Sequence, residues 1–239
     1  MKYEERTYRN KIFNQELKSY RVTVRETDLF ILSDYILNDL AIHSIYKYRS
    51  HIESYIRYCP QFLTSLIPLK QDDLSPIIVR EMLKAADVAK VGPMAAVAGA
   101  IAEFVGWDIL NESKNVIIEN GGDIFIKTEK EIKIGVFAGE SPLSFKVRIL
   151  VRPDQMPIGV CTSSGTVGHS LSFGRADAVC VLSKSAAIAD AAATYIGNLV
   201  KTKHDIKNAL ERGFDIDEVL GILIIVGDQM GVNGNVELV

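Results

Sequence analysis

The stretch Val116-Ile-Ile-Glu-Asn-Gly-Gly-Asp-Ile-Phe-Ile126 decides the fold, because it consists of two short apolar runs joined by a tight turn. Asn120 and Gly121 both accept positive φ angles, and an Asn-Gly pair between apolar runs is a strong signal for a β-hairpin. The stretch therefore predicts two antiparallel strands. A functional alternative is that Gly121 and Gly122 let a ligand approach the backbone, with Asn120 or Asp123 fixing its polar groups.

Outward from the hairpin, further apolar runs predict a sheet of many strands. Runs at 132–137, 145–151, 158–160 and 178–182 are separated by Gly, Pro and Asp. Residues 20–25 alternate between apolar and polar, which predicts a strand that pairs with 8–13, and 220–226 reads as a buried strand. Because strands follow strands, an α+β fold with a largely antiparallel sheet is expected.

Helical patterns surround these strands. Apolar residues recur every three or four positions over 28–57, and Ser75-Pro76 is a typical helix start for a segment ending near residue 90. Helices are also predicted at 94–107, 185–201 and 205–212. With no Ser/Gly/Pro-rich linker and no internal repeat, the sequence predicts a single domain over residues 1–239, its sheet flanked by helices.

Composition excludes several classes of protein. The 239 residues are 48% hydrophobic and carry a net charge of −3, so the chain is neither disordered nor electrostatically suited to nucleic acid. Its three cysteines form no CxxC pair, which excludes a readable disulfide framework or zinc site. The N-terminus is charged and no apolar run approaches the ~20 residues that span a bilayer. A cytoplasmic protein without a membrane partner is expected, and its oligomeric state is not predicted.

The segment from Gly159 to Gly174 is the least core-like part of the sequence. Its 16 residues include four glycines, six hydroxyl side chains, Cys161 and His169. Glycines let successive N–H groups point at one anion and hydroxyls add donors, so the composition suits a phosphate site. The alternative is a solvated hairpin rich in turn residues.

A third segment, Ala189-Asp-Ala-Ala-Ala-Thr-Tyr-Ile-Gly-Asn198, carries polar residues on a helix of small side chains. Asp190, Thr194 and Asn198 follow one another at four-residue spacing and share one stripe. A carboxylate and a hydroxyl one turn apart are hard oxygen ligands, which suits Mg²⁺. The alternative is that the stripe faces solvent.

Taken in order, Asn120-Gly-Gly-Asp-Ile124, Cys161-Thr-Ser-Ser-Gly165 and Ala189-Asp-Ala-Ala-Ala-Thr194 resemble the ApbE-like superfamily. Its best-known members are FAD:protein FMN transferases, and the overlap covers roughly residues 85–200. The resemblance implies an ApbE-like α+β domain that binds FAD or another nucleotide with Mg²⁺. It also implies roles for two sets of residues. Asp190 and Thr194 match the metal ligands, and the nucleotide site would include Asn120, Gly121, Gly122, Asp123, Thr162, Ser163, Ser164 and Gly165.

Two departures from the transferases concern the transfer step. Ala89-Lys-Val-Gly-Pro93 stands where transferases have Ala-Lys-Gly-Tyr-Ala, and the Asp that follows there is replaced within Ala95-Ala-Val-Ala98. The His-Ile-x-Asp-Pro-x-Thr-Gly segment of the transferases is missing, since His169 is followed by a different sequence. Nucleotide binding with weak or absent FMN transfer is therefore predicted.

Two other classes stay open. One is a thiol enzyme that handles sulfur or acyl groups, in which N–H groups of residues 162–165 lower the pKa of Cys161 towards neutrality and His169 is its proton partner. In that segment an inert core thiol is the competing interpretation of Cys161. The other class is a non-catalytic scaffold that keeps the ancestral fold.

Overall fold

A computed structural model describes residues 17–166 and 173–239. These residues form eleven strands, which are β1 Lys18–Val24, β2 Thr27–Ser33, β3 Val116–Asn120, β4 Asp123–Lys127, β5 Ile132–Gly135, β6 Arg148–Val151, β7 Ile158–Ser163, β8 Ala178–Ser183, β9 Val219–Val226, β10 Gln229–Gly234 and β11 Glu237–Leu238. The same residues form six α-helices, which are α1 Asn38–Tyr58, α2 Gln61–Thr64, α3 Ile77–Ala89, α4 Val97–Ile109, α5 Ala186–Leu199 and α6 Ile206–Phe214.

The described residues form two sheets and one layer of helices. The large sheet has eight strands in the order β1-β2-β3-β4-β7-β8-β9-β10, and each adjacent pair is antiparallel. The small sheet has the order β11-β6-β5. Its middle strand β6 and one edge strand, β5, come from the segment between β4 and β7. Helices cover one face of the large sheet and the small sheet covers the other.

Each face of the large sheet buries its own apolar core. Ile118 and Phe125 pack with the helices, whereas their neighbours Ile117 and Ile126 pack against Ile149 of the small sheet. Alternate residues of a strand point to opposite faces, so the central strands are apolar on both sides. This explains why their sequence reads as continuous apolar runs rather than as alternation.

Antiparallel pairing brings the ends of several central strands together at one end of the large sheet. Asn120 at the end of β3 faces Asp123 at the start of β4, which lies opposite Cys161 near the end of β7. Ser163 pairs with Val179 at the start of β8. The two motifs predicted on strands, residues 120–124 and 161–165, therefore meet at this end of the sheet.

The α+β class, the antiparallel sheet and the flanking helices are confirmed, but the expected helix over 28–57 is wrong at its start. Residues Thr27–Ser33 form β2, which pairs with β1, and the helix begins only at Asn38. Leu29 and Ile31 contact the helix-side core while Leu32 contacts the other core. The predicted partner strand at 8–13 lies outside the described residues.

None of the described helices is, by itself, both long and apolar enough to cross a bilayer. Only α3 and the helical segment Pro93–Ile109 pass that test jointly, and they are bent by 106° relative to each other.

Candidate functional site

The Asn120-to-Asp123 hairpin turns as its sequence predicts. Gly121 and Gly122 have φ angles of 72° and 109°, values that glycine adopts without strain. The carboxylate of Glu119, which is fully buried, accepts a hydrogen bond from the Gly122 amide at 2.9 Å. The Asn120 side-chain amide donates to the Ala98 carbonyl at 3.0 Å, which fixes the hairpin against the start of α4.

Asp190 lies half-buried in α5 and contacts the first turn of α4. Its Oδ2 accepts a hydrogen bond from the Gly99 amide at 2.9 Å. A Cβ atom on Gly99 would stand 2.9 Å from the Asp190 Cβ and 2.2 Å from the Ala186 carbonyl oxygen. Only a residue without a side chain lets the two helices approach this closely.

Asp123 and Cys161 occupy the helix-facing side of the sheet at the same end. Asp123 is 8% exposed and lies opposite Cys161, whose thiol donates to the Ala186 carbonyl at 3.3 Å. Gly159, two residues earlier on β7, would place a Cβ atom 2.3 Å from the Ala186 Cα. The start of α5 thus packs directly against β7, and this close contact brings Asp190 towards Asp123.

Electrostatics at this end of the sheet favour protonated carboxyl groups. Burial raises the pKa of Asp190 from 3.8 to about 7, and the Gly99 and Ala98 amides offset only part of that rise. Burial also raises the pKa of Asp123 well above its usual range, with further contributions from the negative charges of Asp190 and Glu119. Neither Asp123 nor Asp190 forms an ion pair with any basic side chain of residues 17–166 or 173–239.

The expected lowering of the Cys161 pKa is wrong. The side chain is fully buried, and burial with the charges of Asp123 and Asp190 raises its pKa well above the usual range. Cys180, whose pKa burial raises to about 12, behaves in the same direction. The proposed partner His169 lies outside the described residues.

Residues 162–166 divide between the two faces of the sheet. The Thr162 hydroxyl hydrogen bonds to Cys180, a residue of the core between the two sheets. Ser163 points to the helix side, where its Oγ would be 3.6 Å from a Cβ atom on Gly197 of α5. Strand alternation therefore brings the side chain of Ser163, but not that of Thr162, to the side that carries Asp123 and Asp190.

The last part of this tract already uses several of its backbone donors. The Gly165 amide donates to the Ala176 carbonyl at 2.9 Å, and the Thr166 amide donates to the Ser164 hydroxyl at 3.1 Å. Thr166 also donates its hydroxyl to Asp177 at 3.2 Å. A phosphate would therefore have fewer free amides here than the glycine content suggests.

The polar stripe of α5 continues from Asp190 towards the end of the helix. Thr194 is half-buried one turn after Asp190. One turn further on, the Asn198 side-chain oxygen accepts a hydrogen bond from the Phe173 amide at 2.8 Å. The stripe therefore faces the sheet end and its loops rather than open solvent.

A half-buried glutamate that sequence reasoning missed joins the two helices. Glu103 of α4 accepts hydrogen bonds from the Ser185 hydroxyl at 3.0 Å and from the Ala186 and Ala187 amides at 2.7 and 3.3 Å. Burial raises its pKa, and these donors lower it only in part. No sequence motif marks this residue, because its partners are more than eighty positions away.

Next to the hairpin, a groove of about 420 Å³ runs between α1 and α4. Its walls are largely apolar, formed by Ile52, Ile56, Leu63, Met94, Val97 and Ile101. Asn120 also lines the groove, and so does Arg49, which pairs with Glu26 at 2.6 Å and with Glu53 at 3.0 Å. A groove of this size accommodates a small organic molecule.

Protein side chains alone do not complete a metal site in the described part of the chain. Within residues 17–166 and 173–239, no group of three or more His, Cys, Asp or Glu residues is arranged to hold a metal ion. Mg²⁺ commonly uses one or two carboxylates and takes its other ligands from substrate phosphates and water. The observed arrangement therefore fits only a site in which substrate phosphates and water complete the coordination of Mg²⁺.

Sequence comparisons identify the relatives of the chain. A family model described as "AbpE bacteria" matches residues 10–231. A UPF0280 protein of Methanococcus aeolicus is 44% identical over 224 residues, which cover 90% of both chains. A UPF0280 protein of Methanocaldococcus jannaschii is 44% identical over 222 residues, again with 90% of each chain covered.

Solved structures share the fold at low sequence identity. The apo flavinyl transferase ApbE of Pseudomonas stutzeri superposes with a TM-score of 0.55 at 12% identity, covering 93% of this chain and 95% of that one. A mutant of the flavin transferase ApbE of Vibrio cholerae gives 0.56 at 13% identity, covering 91% and 97%. This likeness concerns the arrangement of helices and strands.

Proposed function

The chain belongs to the family described as AbpE bacteria, and on that premise we propose that it binds a flavin nucleotide, or another nucleotide, together with Mg²⁺. The observation that carries the proposal is the pair of carboxyl groups at one end of the sheet, of which Asp123 is buried and Asp190 half-buried. Both have raised pKa values and neither has a basic partner within the described residues. Buried charges are normally paired or coordinate a metal, so a cation bound with a nucleotide would supply the missing partner.

The available donors fit a hard cation. Asp190 offers a carboxylate and Thr194 a hydroxyl one turn later on the same helix face. All of these donors are oxygen atoms, the class that Mg²⁺ prefers. When bound, Mg²⁺ would neutralise the charge of the nucleotide phosphates, and Asp190 and Thr194 would hold it.

The groove between α1 and α4 supports an organic ligand at the same end of the sheet. It shares Asn120 and Ala98 with the site, because both line the groove and hydrogen bond to each other. Its apolar walls suit the planar part of a nucleotide, and the carboxyl pair suits a cation beside the phosphates. The proposal therefore assigns the ring to the groove and the phosphates to the side of Asp190 and Ser163.

We expect FAD with Mg²⁺ to raise the melting temperature, and Mg²⁺ alone to leave it unchanged because the protein supplies too few ligands. A ligand at one hundred times its Kd stabilises the native state by about 2.7 kcal/mol. For a chain of this size each kcal/mol corresponds to roughly 2–4 °C. Asp190→Asn should abolish the shift, measured by scanning calorimetry with FAD, FMN, ADP and ATP in turn.

Asp87→Asn is the matched control, because Asp87 is exposed on α3 and, among the described residues, forms an ion pair with Lys90 alone. This variant should keep the full shift. If none of the four nucleotides with Mg²⁺ stabilises the wild-type protein, the proposed function is wrong.

A further inference from the structure

We infer that Glu103 is a positioning residue for Asp190, acting through a reciprocal contact between α4 and α5. Asp190 of α5 accepts a hydrogen bond from Gly99 in the first turn of α4. Glu103 of α4 accepts hydrogen bonds from Ala186 and Ala187 in the first turn of α5. Each helix thus supplies the carboxylate that satisfies the free amides at the start of the other, and we call this arrangement the reciprocal clasp.

Neither helix satisfies all of its first amides by itself. Ala96, which precedes α4, provides no side-chain cap, so Asp190 accepts in its place. At the start of α5, Ser185 accepts from the Ile188 amide, and Glu103 accepts from the two amides before it. A buried amide without an acceptor destabilises the folded protein. Each carboxylate is therefore needed as the acceptor for the first amides of the opposite helix.

The clasp has the same spacing on both sides. Gly99 and Glu103 are one turn apart on α4, and Ala186 and Asp190 are one turn apart on α5. The two helices touch between these turns, since a Cβ atom on Gly99 would lie 2.2 Å from the Ala186 carbonyl oxygen. With so little free space, movement at the Glu103 end of the clasp displaces Asp190 relative to Gly99.

Glu103 reaches the site through α5. Among residues 17–166 and 173–239 its hydrogen-bond donors are Ser185, Ala186 and Ala187, with a contribution from Trp107, and none of them belongs to the end of the sheet. It therefore fixes where α5 begins, one turn before Asp190. The inference rests on the proposed function for its effect on the cation, and on these contacts alone for its effect on Asp190.

Hydrogen exchange at the Gly99 amide tests the clasp without any ligand. In Glu103→Ala we expect this amide to exchange at least about tenfold faster relative to amides of β3. Loss of the Glu103 carboxylate releases the start of α5, and this loosens the hydrogen bond between Asp190 and the Gly99 amide. Glu103→Gln keeps an acceptor oxygen and should restore a near wild-type rate. Asp108→Ala is the matched control: it removes an acid of the same helix that binds Ser44 and Tyr48 of α1 instead, and it should leave the relative rate unchanged.

Binding of Mn²⁺ with ADP, followed by electron paramagnetic resonance, tests the effect on the cation. Loss of a residue that orients a metal ligand typically weakens metal binding by about 10–100-fold. We expect a weakening in that range for Glu103→Ala and not for Glu103→Gln or Asp108→Ala. If Glu103→Ala fails to fold, Glu103→Met replaces it, since that side chain has a similar length but offers no oxygen to the Ala186 and Ala187 amides.

The two readouts separate the inference from the proposed function. A wild-type relative exchange rate at Gly99 in Glu103→Ala, or in Glu103→Met if that variant is used, overturns the inference whatever the protein binds. If wild-type protein does not bind Mn²⁺ with ADP, the proposed function fails, and the exchange rates still decide the clasp.

Discussion

The carboxyl group of Asp190 makes the stability of the ligand-free protein depend on pH. Its pKa is about 7 in the native state and 3.8 as the ordinary value of an exposed Asp. A native state that holds a proton more tightly than the unfolded chain loses stability as the pH rises between the two values. Stability should therefore fall from about pH 4 to about pH 7 and level off above it.

Replacing Asp190 with Asn should reduce this dependence, because an amide does not titrate. Between pH 5.5 and pH 8, the free energy of unfolding of the wild-type protein should drop more than that of Asp190→Asn. Urea unfolding in the presence of EDTA measures both. Some dependence will stay in the variant because Asp123 is shifted in the same direction. Equal drops in the two proteins would show that Asp190 is not a titrating group in this range.

Single residues of the site were predictable from sequence only where the chemistry is local. The stripe of Asp190 and Thr194 follows from helical spacing and from the small residues beside it. The rise in the Cys161 pKa follows first from burial, as the competing interpretation of an inert core thiol expected, whereas the added effect of Asp123 and Asp190 depends on contacts that the sequence does not show. Glu103 was missed for a similar reason, since only the packing of α4 on α5 gives it partners.

At the scale of helices, the contact between α4 and α5 depends on the missing side chain of Gly99. A Cβ atom there would meet the Ala186 carbonyl oxygen at 2.2 Å. Overpacking of this kind costs about 1–3 kcal/mol, so we expect Gly99→Ala to lower the free energy of unfolding by that amount. It should also weaken the nucleotide-dependent rise in melting temperature, since Asp190 is displaced.

Gly197 in α5 provides the matched control. A Cβ atom at this position would have its nearest neighbour, the Ser163 Oγ, at 3.6 Å, which is ordinary contact. Since alanine favours a helix over glycine by roughly 0.5–1 kcal/mol, Gly197→Ala should be neutral or stabilising. Chemical unfolding of both variants checks the opposite signs, and equal destabilisation would contradict the packing argument.

The elements themselves were predictable where their apolar pattern has one interpretation. The hairpin of β3 and β4 has an unambiguous turn sequence and forms as predicted. The start of the segment 28–57 was misassigned, because a strand buried on both faces has no alternation. Leu29, Leu32 and Ile36 happen to recur at helical spacing, and only the two cores reveal that Leu29 and Leu32 point in opposite directions.

At the scale of the whole molecule, sharing a fold with flavin transferases is not by itself evidence that a protein catalyses FMN transfer. The transferases resembled by this sequence have an Asp where Ala95-Ala-Val-Ala98 stands here, and a His-Ile-x-Asp-Pro segment that this chain lacks. We therefore expect weak or no transfer of FMN from FAD to a Ser/Thr acceptor peptide in the presence of Mg²⁺. Mass spectrometry of the peptide measures the outcome, with a flavin transferase as positive control, and stoichiometric flavinylation would refute the prediction.

The α+β class was predictable from the order of the apolar runs, but the layering was not. Strands β5 and β6 were expected near their observed positions, yet nothing local indicates that they leave the large sheet and cover its second face. That placement follows from the long-range pairing of β6 with β11 and from the burial of Ile149 against the large sheet. Such contacts arise between residues far apart in the chain.

The pairing of β6 with β11 also bears on how the chain folds during synthesis. Ile149 and Leu150 leave the ribosome long before Leu238 and Glu237, their partners in the small sheet. Until then the outer edge of β6 has no neighbouring strand, although β5 is already available on its other side. The ion pair between Arg152 and Glu237, at 2.6 Å, joins the same two segments. Helices α1 to α6, and with them Asp190, are therefore synthesised before the small sheet can be completed.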